Sequence, residues 1–412
     1  MQDVVISGIG AVSPFGVGVE NLWANLRAGN SGIDWISSIN VGPMPVRYAG
    51  EVKDFDYQRH LKKHSGLRQD RSMQMGFVAA AEALRDAGLI GDNDQVPDGL
   101  TVGAVVGSGL GPCFEAESSY GNFFTRGWKA VRPMTVPLSM HNALAGALSA
   151  YFKLRGANYV LAAACSSGAL AIGQAYQAIA SGVEDIVLCG GADSPLTPGM
   201  FSAWTNLRVL ATHDDPRRAC RPFDRRRNGL VLAEGAAMLV LESSQSAQSR
   251  NRRPLARVLG YGAASDAHHI TAPQVAGQVL AMQRCLRSAQ ISPLEVDYIN
   301  AHGTATLQND RTEAEAIHTV FGRAGRRVPV SSIKSMLGHS LGASGALEAI
   351  ACVQSLREKF VPPTINCNEP DPDMGLDYVP NQGRPHPVRR ALSNSFGFGG
   401  SNCCLLLEQC RE

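Results

Sequence analysis

The chain predicts an α/β fold, and two observations carry that expectation. Short β-branched runs alternate with long alanine-rich segments of helical spacing, as strands crossing over through helices would. Those strand-like runs are continuously apolar instead of alternating, which suits strands covered on both faces in mostly parallel sheets. Glycine is also abundant, at 43 of 412 residues, where about 7% is usual. The excess belongs in turns and close backbone contacts, because glycine weakens the interiors of helices and strands.

Taken in order, strands are predicted at Val4–Ile9, Thr101–Val106, Asp185–Leu188, Ala237–Leu241, Val296–Asn300 and Val328–Ser332. Helices are predicted at Gln69–Ala87, Ser139–Phe152, Ser166–Ala180, Ala272–Ala289, Asp310–Val320 and Gly342–Arg357. The weakest composition is Ser243–Pro254, and the seam between two halves, residues 1–250 and 251–412, is placed there. No fixed-period repeat argues for a solenoid. Val361–Pro387 reads as a surface strip before two closing strands.

Composition excludes several function classes. With 38 basic and 36 acidic residues the net charge is +2, too small for a general nucleic-acid or membrane-surface binder. There is no 18-residue apolar run, hence no expected membrane span. The start, Met1-Gln2-Asp3-Val4, lacks the basic and apolar regions of a secretory signal, so a cytoplasmic location is expected. Ten scattered cysteines without a C-x-x-C pair read as reduced thiols.

Three features invite functional readings and are set aside. Gly107-Ser108-Gly109-Leu110-Gly111 follows a strand, but it lacks dinucleotide-loop spacing and runs into Pro112 and Cys113 instead of a clear helix. His268-His269 has no carboxylate or cysteine at ligand spacing, so a turn or surface is favoured and no metal or cofactor is expected. The arginines between Arg217 and Arg227 are interleaved with Asp214, Asp215 and Asp224, which suggests a solvated loop with internal ion pairs.

Catalytic chemistry gathers in three segments. In Tyr159–Leu170 an apolar strand meets small residues, then Cys165, then an alanine-rich helix. A cysteine at a helix N-terminus faces free N–H groups and the positive end of the macrodipole, which favours a thiolate. Taken alone, the segment fits a buried, inert thiol as well. His302 lies just past the end of a buried strand in H-G-T-A-T, where ligand chemistry in α/β sheets collects. Lys334 and His339 share a glycine-rich loop before another helix, and Lys334 is one of only seven lysines in an arginine-biased chain. Together these supply a nucleophile, two imidazoles and an ammonium, the set that acyl transfer through a thioester needs.

The motifs A-C-S-S-G at Cys165, H-G-T-A-T at His302, K-S-M-L-G-H from Lys334 to His339 and N-S-F-G-F-G-G-S-N from Asn394 to Asn402 resemble those of the β-ketoacyl-acyl carrier protein synthases of the thiolase superfamily, and are most similar to the synthase II type. D-A-H-H-I-T-A-P at Asp266 and R-P-F-D-R-R-R-N-G at Arg221 extend the resemblance over essentially the whole chain. It implies a thiolase-like five-layer αβαβα fold with two pseudo-duplicated halves, usually dimeric. It also implies an acyltransferase that condenses a malonyl unit with an acyl chain held on Cys165, in fatty-acid or polyketide elongation. His302 and His339 would hold the malonyl thioester carbonyl, and Lys334 would order their electrostatics. Backbone N–H groups of Cys165 and Phe398 would form the oxyanion hole, and Phe398 with Gly397, Gly399 and Gly400 would form a mobile gate. Asp310 and Glu313 would support the loop from behind.

By the same resemblance, acyl- and malonyl-loaded acyl carrier protein is the partner, with a homodimer or a heterodimer with a sister chain. Leu110, Trp204 and Leu341 would line the acyl pocket, the indole shortening or reshaping it towards a particular acyl chain. Asn228 stands where many relatives carry aspartate. Lys62, Lys63, Arg68, Lys129, Arg132 and Arg208 are candidates for a basic rim facing an acidic carrier. Two other readings compete. A non-catalytic chain-length-factor-like partner typically lacks the cysteine present here, and a thiolase typically has a second cysteine where this chain has His339.

Overall fold

The computed structural model describes residues 2–61 and 70–410, so Lys62, Lys63 and Arg68 lie outside the described residues. Ten strands carry the architecture: β1 Val4–Ser13, β2 Gly103–Gly107, β3 Asn158–Leu161, β4 Ile186–Asp193, β5 Gly235–Ser243, β6 Ala256–Ser265, β7 Tyr298–Asn300, β8 Val330–Ser331, β9 Arg390–Gly397 and β10 Ser401–Glu408. Five helices cover them: α1 Arg71–Asp86, α2 Ser167–Ala180, α3 Val275–Ala289, α4 Leu307–Phe321 and α5 Ser344–Glu358.

The spatial strand order is β8-β7-β9-β10-β6-β1-β5-β4-β2-β3. Read from either outer edge, each set of five strands runs third, second, fourth, fifth, first. Pairing directions repeat as well: β2 is parallel to β3 and β4, as β7 is to β8 and β9. The pairs β4·β5, β5·β1, β9·β10 and β10·β6 are antiparallel. The two sets meet where Val4–Ile6 pairs antiparallel with Ala256–Val258. The sheet is therefore mixed, which corrects the expectation of mostly parallel pairing. The strands β9 and β10 are joined by the short turn Phe398–Gly400, and a connection that short can only join antiparallel neighbours.

Three buried apolar clusters separate the layers. One gathers α2, α5 and the strand faces of both halves. The second packs α1 and the helix Ala143–Phe152 on the outside of the first half. The third packs α3 and α4 on the outside of the second. The expected five layers, αβαβα, follow directly. In the middle layer α2 and α5 approach closely, and a Cβ on Gly168 would come within 2.5 Å of the Gly342 carbonyl oxygen. The α1 start is set by Asp70, whose side chain accepts the Ser72 N–H.

Other sequence expectations need adjustment. The helix predicted over Ser139–Phe152 breaks at the extended Met140 into Thr135–Ser139 and Ala143–Phe152. A clear helix, Cys113–Arg126, does follow the glycine run at 107–111. In the arginine loop, Arg225 and Arg226 pair with Glu369 and Asp224 as expected. Arg227, however, is buried, 2.9 Å from Asp371 and 3.7 Å from Asp310. All ten cysteines are unpaired. No described helix is long and apolar enough to cross a membrane.

Candidate active site

The turn that carries Cys165 is strained. Between β3 and α2 the chain makes a single 3₁₀ turn, Ala164–Ser166, and Ala164 has φ +49°, a left-handed conformation that costs a non-glycine residue free energy. Ser167 holds it: its hydroxyl donates to the Ala164 carbonyl at 2.7 Å and accepts the Ala163 N–H at 2.8 Å. The second half repeats the turn before α5, with Leu341 at φ +50° and Gly342 where the first half has Cys165. That second turn is closed by Asp193, which accepts the Gly342 N–H at 2.6 Å. Asp193 also takes the N–H groups of Gly109 and Leu110 and the Ser108 hydroxyl. The N–H groups of the glycine run are thus occupied by the chain's own carboxylate, which is the physical reason it is no phosphate loop.

His302 follows β7 on a loop whose N–H groups at His302 and Gly303 each donate to Glu313 of α4 at 2.8 Å. Asp310, one turn earlier, accepts the Phe223 N–H at 2.9 Å. His339 sits before the second turn, its Nδ1 2.9 Å from the Ser344 hydroxyl. The two imidazole rings stand edge to face at 5.4 Å. Behind them Lys334 donates to the His302 carbonyl at 2.7 Å and approaches its Nδ1 at 3.3 Å, and it forms a buried ion pair with Glu348. An ammonium can only donate, so Nδ1 of His302 is the acceptor and the ring proton sits on Nε2.

The Cys165 sulfur and one nitrogen of each imidazole lie within 4.8 Å of one another. A metal ion could use the same donors, but the Lys334 ammonium against His302 disfavours a second cation there. Burial, and then the Lys334 charge, hold His302 and His339 well below the usual histidine range, so both rings are neutral. Burial also pushes the Cys165 thiol up to about 11, while the Lys334 charge and the Phe398 N–H pull it down. This corrects the expectation that the helix end alone leaves a thiolate: the resting group is a thiol.

The residues expected to form a gate lie beside Cys165. Gly397 is extended at φ −116°, so it is needed for proximity and not for a positive φ; its Cβ would lie 2.9 Å from the Ala163 carbonyl oxygen. Gly399 and Gly400, at φ +78° and +72°, do require glycine. The Phe398 ring stacks on Trp204 at 5.9 Å. The turn Phe398–Gly400 is tied to the 266–274 loop through Gly399 N–H to Ile270 O at 2.6 Å and Asp266 N–H to Gly400 O at 2.9 Å.

A cavity of about 390 Å³ reaches Cys165, His302, His339, Phe398 and Trp204 from the surface, and Arg208 borders it. Leu110 and Leu341 pack in the same buried cluster as Cys165 and Trp204 without bordering the cavity. Lys129, over the Trp128 ring, and Arg132, paired with Glu115, are also away from it. His268 and His269 are exposed, as a surface turn would be. Asn228 is exposed and donates to Thr212. Sequence reasoning missed Glu348 and Ser167; an acid inside the apolar run G-A-L-E-A was the available signal for the first.

Comparison with known proteins covers both halves. Residues 1–247 match the family model for the beta-ketoacyl synthase N-terminal domain, and residues 255–368 match that for the C-terminal domain. The 3-oxoacyl-[acyl-carrier-protein] synthase 2 of Staphylococcus aureus strain N315 is 40% identical over 408 residues, 98% of each chain. The protein of that name from Coxiella burnetii is 39% identical over 409 residues, again 98% of each. Among solved structures, the ishigamide ketosynthase/chain length factor superposes with a TM-score of 0.93 at 35% identity over the full length of both chains. A type II PKS ketosynthase, in complex with its acyl-carrier protein and bound to the hexaketide, superposes with a TM-score of 0.90 at 30% identity, covering 99% of this chain and 100% of that one.

Proposed function

The chain belongs to the β-ketoacyl synthase family and is a condensing acyltransferase, and from that premise we propose the residues that carry each step. The convergence of one sulfur and two neutral imidazoles within 4.8 Å carries the reading. Cys165 attacks the thioester of an acyl carrier protein; the acyl group passes to sulfur, and the thiol proton leaves on the departing carrier thiol. A malonyl thioester then enters with its carbonyl oxygen on His302 and His339. Loss of carbon dioxide leaves an enolate on that oxygen, which two aimed N–H donors stabilise. Its carbon attacks the Cys165 thioester, and the tetrahedral oxyanion rests on the Cys165 and Phe398 N–H groups. Collapse expels the sulfur and releases a β-ketoacyl chain two carbons longer.

The partner set follows from the same premise. Acyl and malonyl groups arrive on acyl carrier protein, and a second copy of the chain covers the apolar side chains that Phe114, Tyr120, Phe124, Trp128 and Met140 expose. The boundary between halves lies at residues 250 and 251, supported by the repeated strand order. Native mass spectrometry after incubation with acyl carrier thioester tests these points together. A dimer is expected whose chains each gain one acyl mass, lost in Cys165→Ala. A monomer would remove the dimer, and an adduct persisting in Cys165→Ala would remove the nucleophile.

Chain-length selection is assigned to Trp204, because its buried indole stacks on the Phe398 gate beside the sulfur. Trp204→Ala opens that space and is expected to broaden the acyl chains accepted towards longer ones. Unchanged chain preference against a panel of acyl carriers would release Trp204 from this role.

A further inference from the structure

Asp193 ends β4 fully buried, and its carboxylate reaches into both halves of the molecule. Oδ1 accepts the Ser108 hydroxyl at 2.6 Å and the Leu110 N–H at 3.3 Å, and Oδ2 accepts the N–H groups of Gly109 at 2.7 Å and Gly342 at 2.6 Å. All four donors are neutral, and among the described residues no lysine or arginine pairs with it. A buried carboxylate held by neutral donors alone is costly to keep, and burial pushes this one up to about 6. Its bonds run to the two places where the apolar surroundings of Cys165 are built. Leu341, just before Gly342, belongs to the buried cluster that holds Cys165 and Trp204, and Leu110 packs against that cluster. The space between is full. A Cβ on Gly109 would lie 3.1 Å from both the Ala164 carbonyl oxygen and Oδ2 of Asp193, and one on Gly342 would lie 2.5 Å from Oδ2. Asp193 does not border the cavity that reaches Cys165, so it acts only through the residues it holds.

We propose that Asp193 is a positioning residue for acyl-chain selection, stapling Leu110 of the first half and Leu341 of the second into one wall beside Cys165. This rests on the proposed function: the carrier's arm occupies the open cavity, so the chain left on the sulfur has to lie among the apolar side chains of that cluster. The staple needs both carboxylate oxygens as acceptors. Asp193→Asn, or a proton on the carboxyl, turns one of them into a donor. That donor belongs on the Oδ1 side, where the Ser108 hydroxyl can turn to accept it, whereas the Gly109 and Gly342 N–H groups cannot. The Leu110 N–H then faces a donor and its end of the wall is released, while Leu341 stays held.

The test compares acyl-pantetheine thioesters of the preferred length and of two carbons more, as the ratio of their kcat/KM for acylation of Cys165. Taking a ratio removes the ionisation of Cys165 and the histidines, which acts on both chains alike. At pH 8 Asp193→Asn is expected to lower that ratio about tenfold, the lower end of what a pocket gains by rejecting an added methylene. Leu110→Ala should lower it similarly, and the double variant should add little, because both act through one side chain. In the unaltered protein the ratio should fall towards that of the variant as pH drops from 8 to 5 and the carboxyl takes up a proton. In Asp193→Asn it should stay flat. The titratable groups that face Asp193 are the Cys113 and Cys165 thiols, which burial pushes up to about 12 and about 11, so neither changes charge over that range. On the neighbouring strand Asp193 pairs with Gly235, and Glu234 beside it is held by Arg71. A ratio in Asp193→Asn equal to that of the unaltered protein overturns the staple, and this includes equal loss on both chains, which a merely structural role predicts. A pH dependence that persists in Asp193→Asn, or additive effects with Leu110→Ala, also overturns it. Should the variant not fold, the unaltered protein decides, and a ratio flat from pH 8 to pH 5 overturns the proposal. Failure of the unaltered protein to take an acyl group from either thioester would instead sink the transferase reading.

Discussion

Lys334→Met is expected to abolish condensation and to lower stability by about 3 kcal/mol, the lower end of what breaking a buried ion pair costs. The lysine is 2% exposed and its ammonium serves Glu348 and both the carbonyl and Nδ1 of His302. Without it Glu348 is left buried beside a neutral side chain. Burial already pushes that carboxyl up to about 7, and losing the cation pushes it higher. The folded state then holds a proton that the unfolded chain releases near pH 4.5, so the deficit grows as pH rises above that value and shrinks in acid. Thermal melting at pH 5 and pH 8 reads this directly. A second variant separates architecture from chemistry. Lys334→Met with Glu348→Leu replaces the pair by apolar side chains, which is often neutral for stability. It should recover the melting temperature while condensation stays at least about a hundredfold down, because His302 still lacks the donor that fixes its tautomer. Recovery of activity along with stability would reduce Lys334 to a structural role.

Much of this site was legible before the fold. Cys165, His302, Lys334 and His339 each sit in a short apolar or glycine-rich context with no neighbouring charge, and such contexts mark strand ends and tight turns. What sequence left hidden was created by tertiary contact. Asp193 lies beyond the strand predicted at Asp185–Leu188, yet it ends β4 and accepts hydrogen bonds from both halves. Ser167 reads as a helix residue but locks the strained Ala164 turn. Glu348 lies nine positions beyond His339, and its ion pair with Lys334 forms only when α5 folds back against that loop. The state of the thiol was misread for the same reason: a helix end is visible locally, whereas full burial, which outweighs it, is a property of the packed molecule. The mixed pairing also escaped, because continuous apolar runs report burial on two faces and say nothing of strand direction.

Replacing either imidazole should separate the two half-reactions. In the proposed mechanism His302→Ala and His339→Ala each remove one of two N–H donors to the malonyl carbonyl oxygen, and loss of one such donor costs about 10²–10³ in rate. Release of carbon dioxide from malonyl carrier is expected to fall by that factor in each variant. Acylation of Cys165 should fall far less, because the same mechanism rests its oxyanion on the Cys165 and Phe398 N–H groups. Equal loss in both half-reactions would place the histidines in acylation instead. The pH profile carries an independent sign. Both rings are held well below the usual histidine range by burial and by Lys334, so they remain neutral through pH 6.5 and decarboxylation should show no inflection there. Stability responds even so: below about 6.5 the unfolded chain takes up protons that these buried rings refuse, and the folded state weakens as pH falls. Lys334→Met removes the second-largest cause of that depression, so the acid limb of any residual decarboxylation should move to higher pH. An acid limb that stays in place when the ammonium is gone would show that burial alone keeps the rings neutral, and that the charge behind them acts only through the Nδ1 contact.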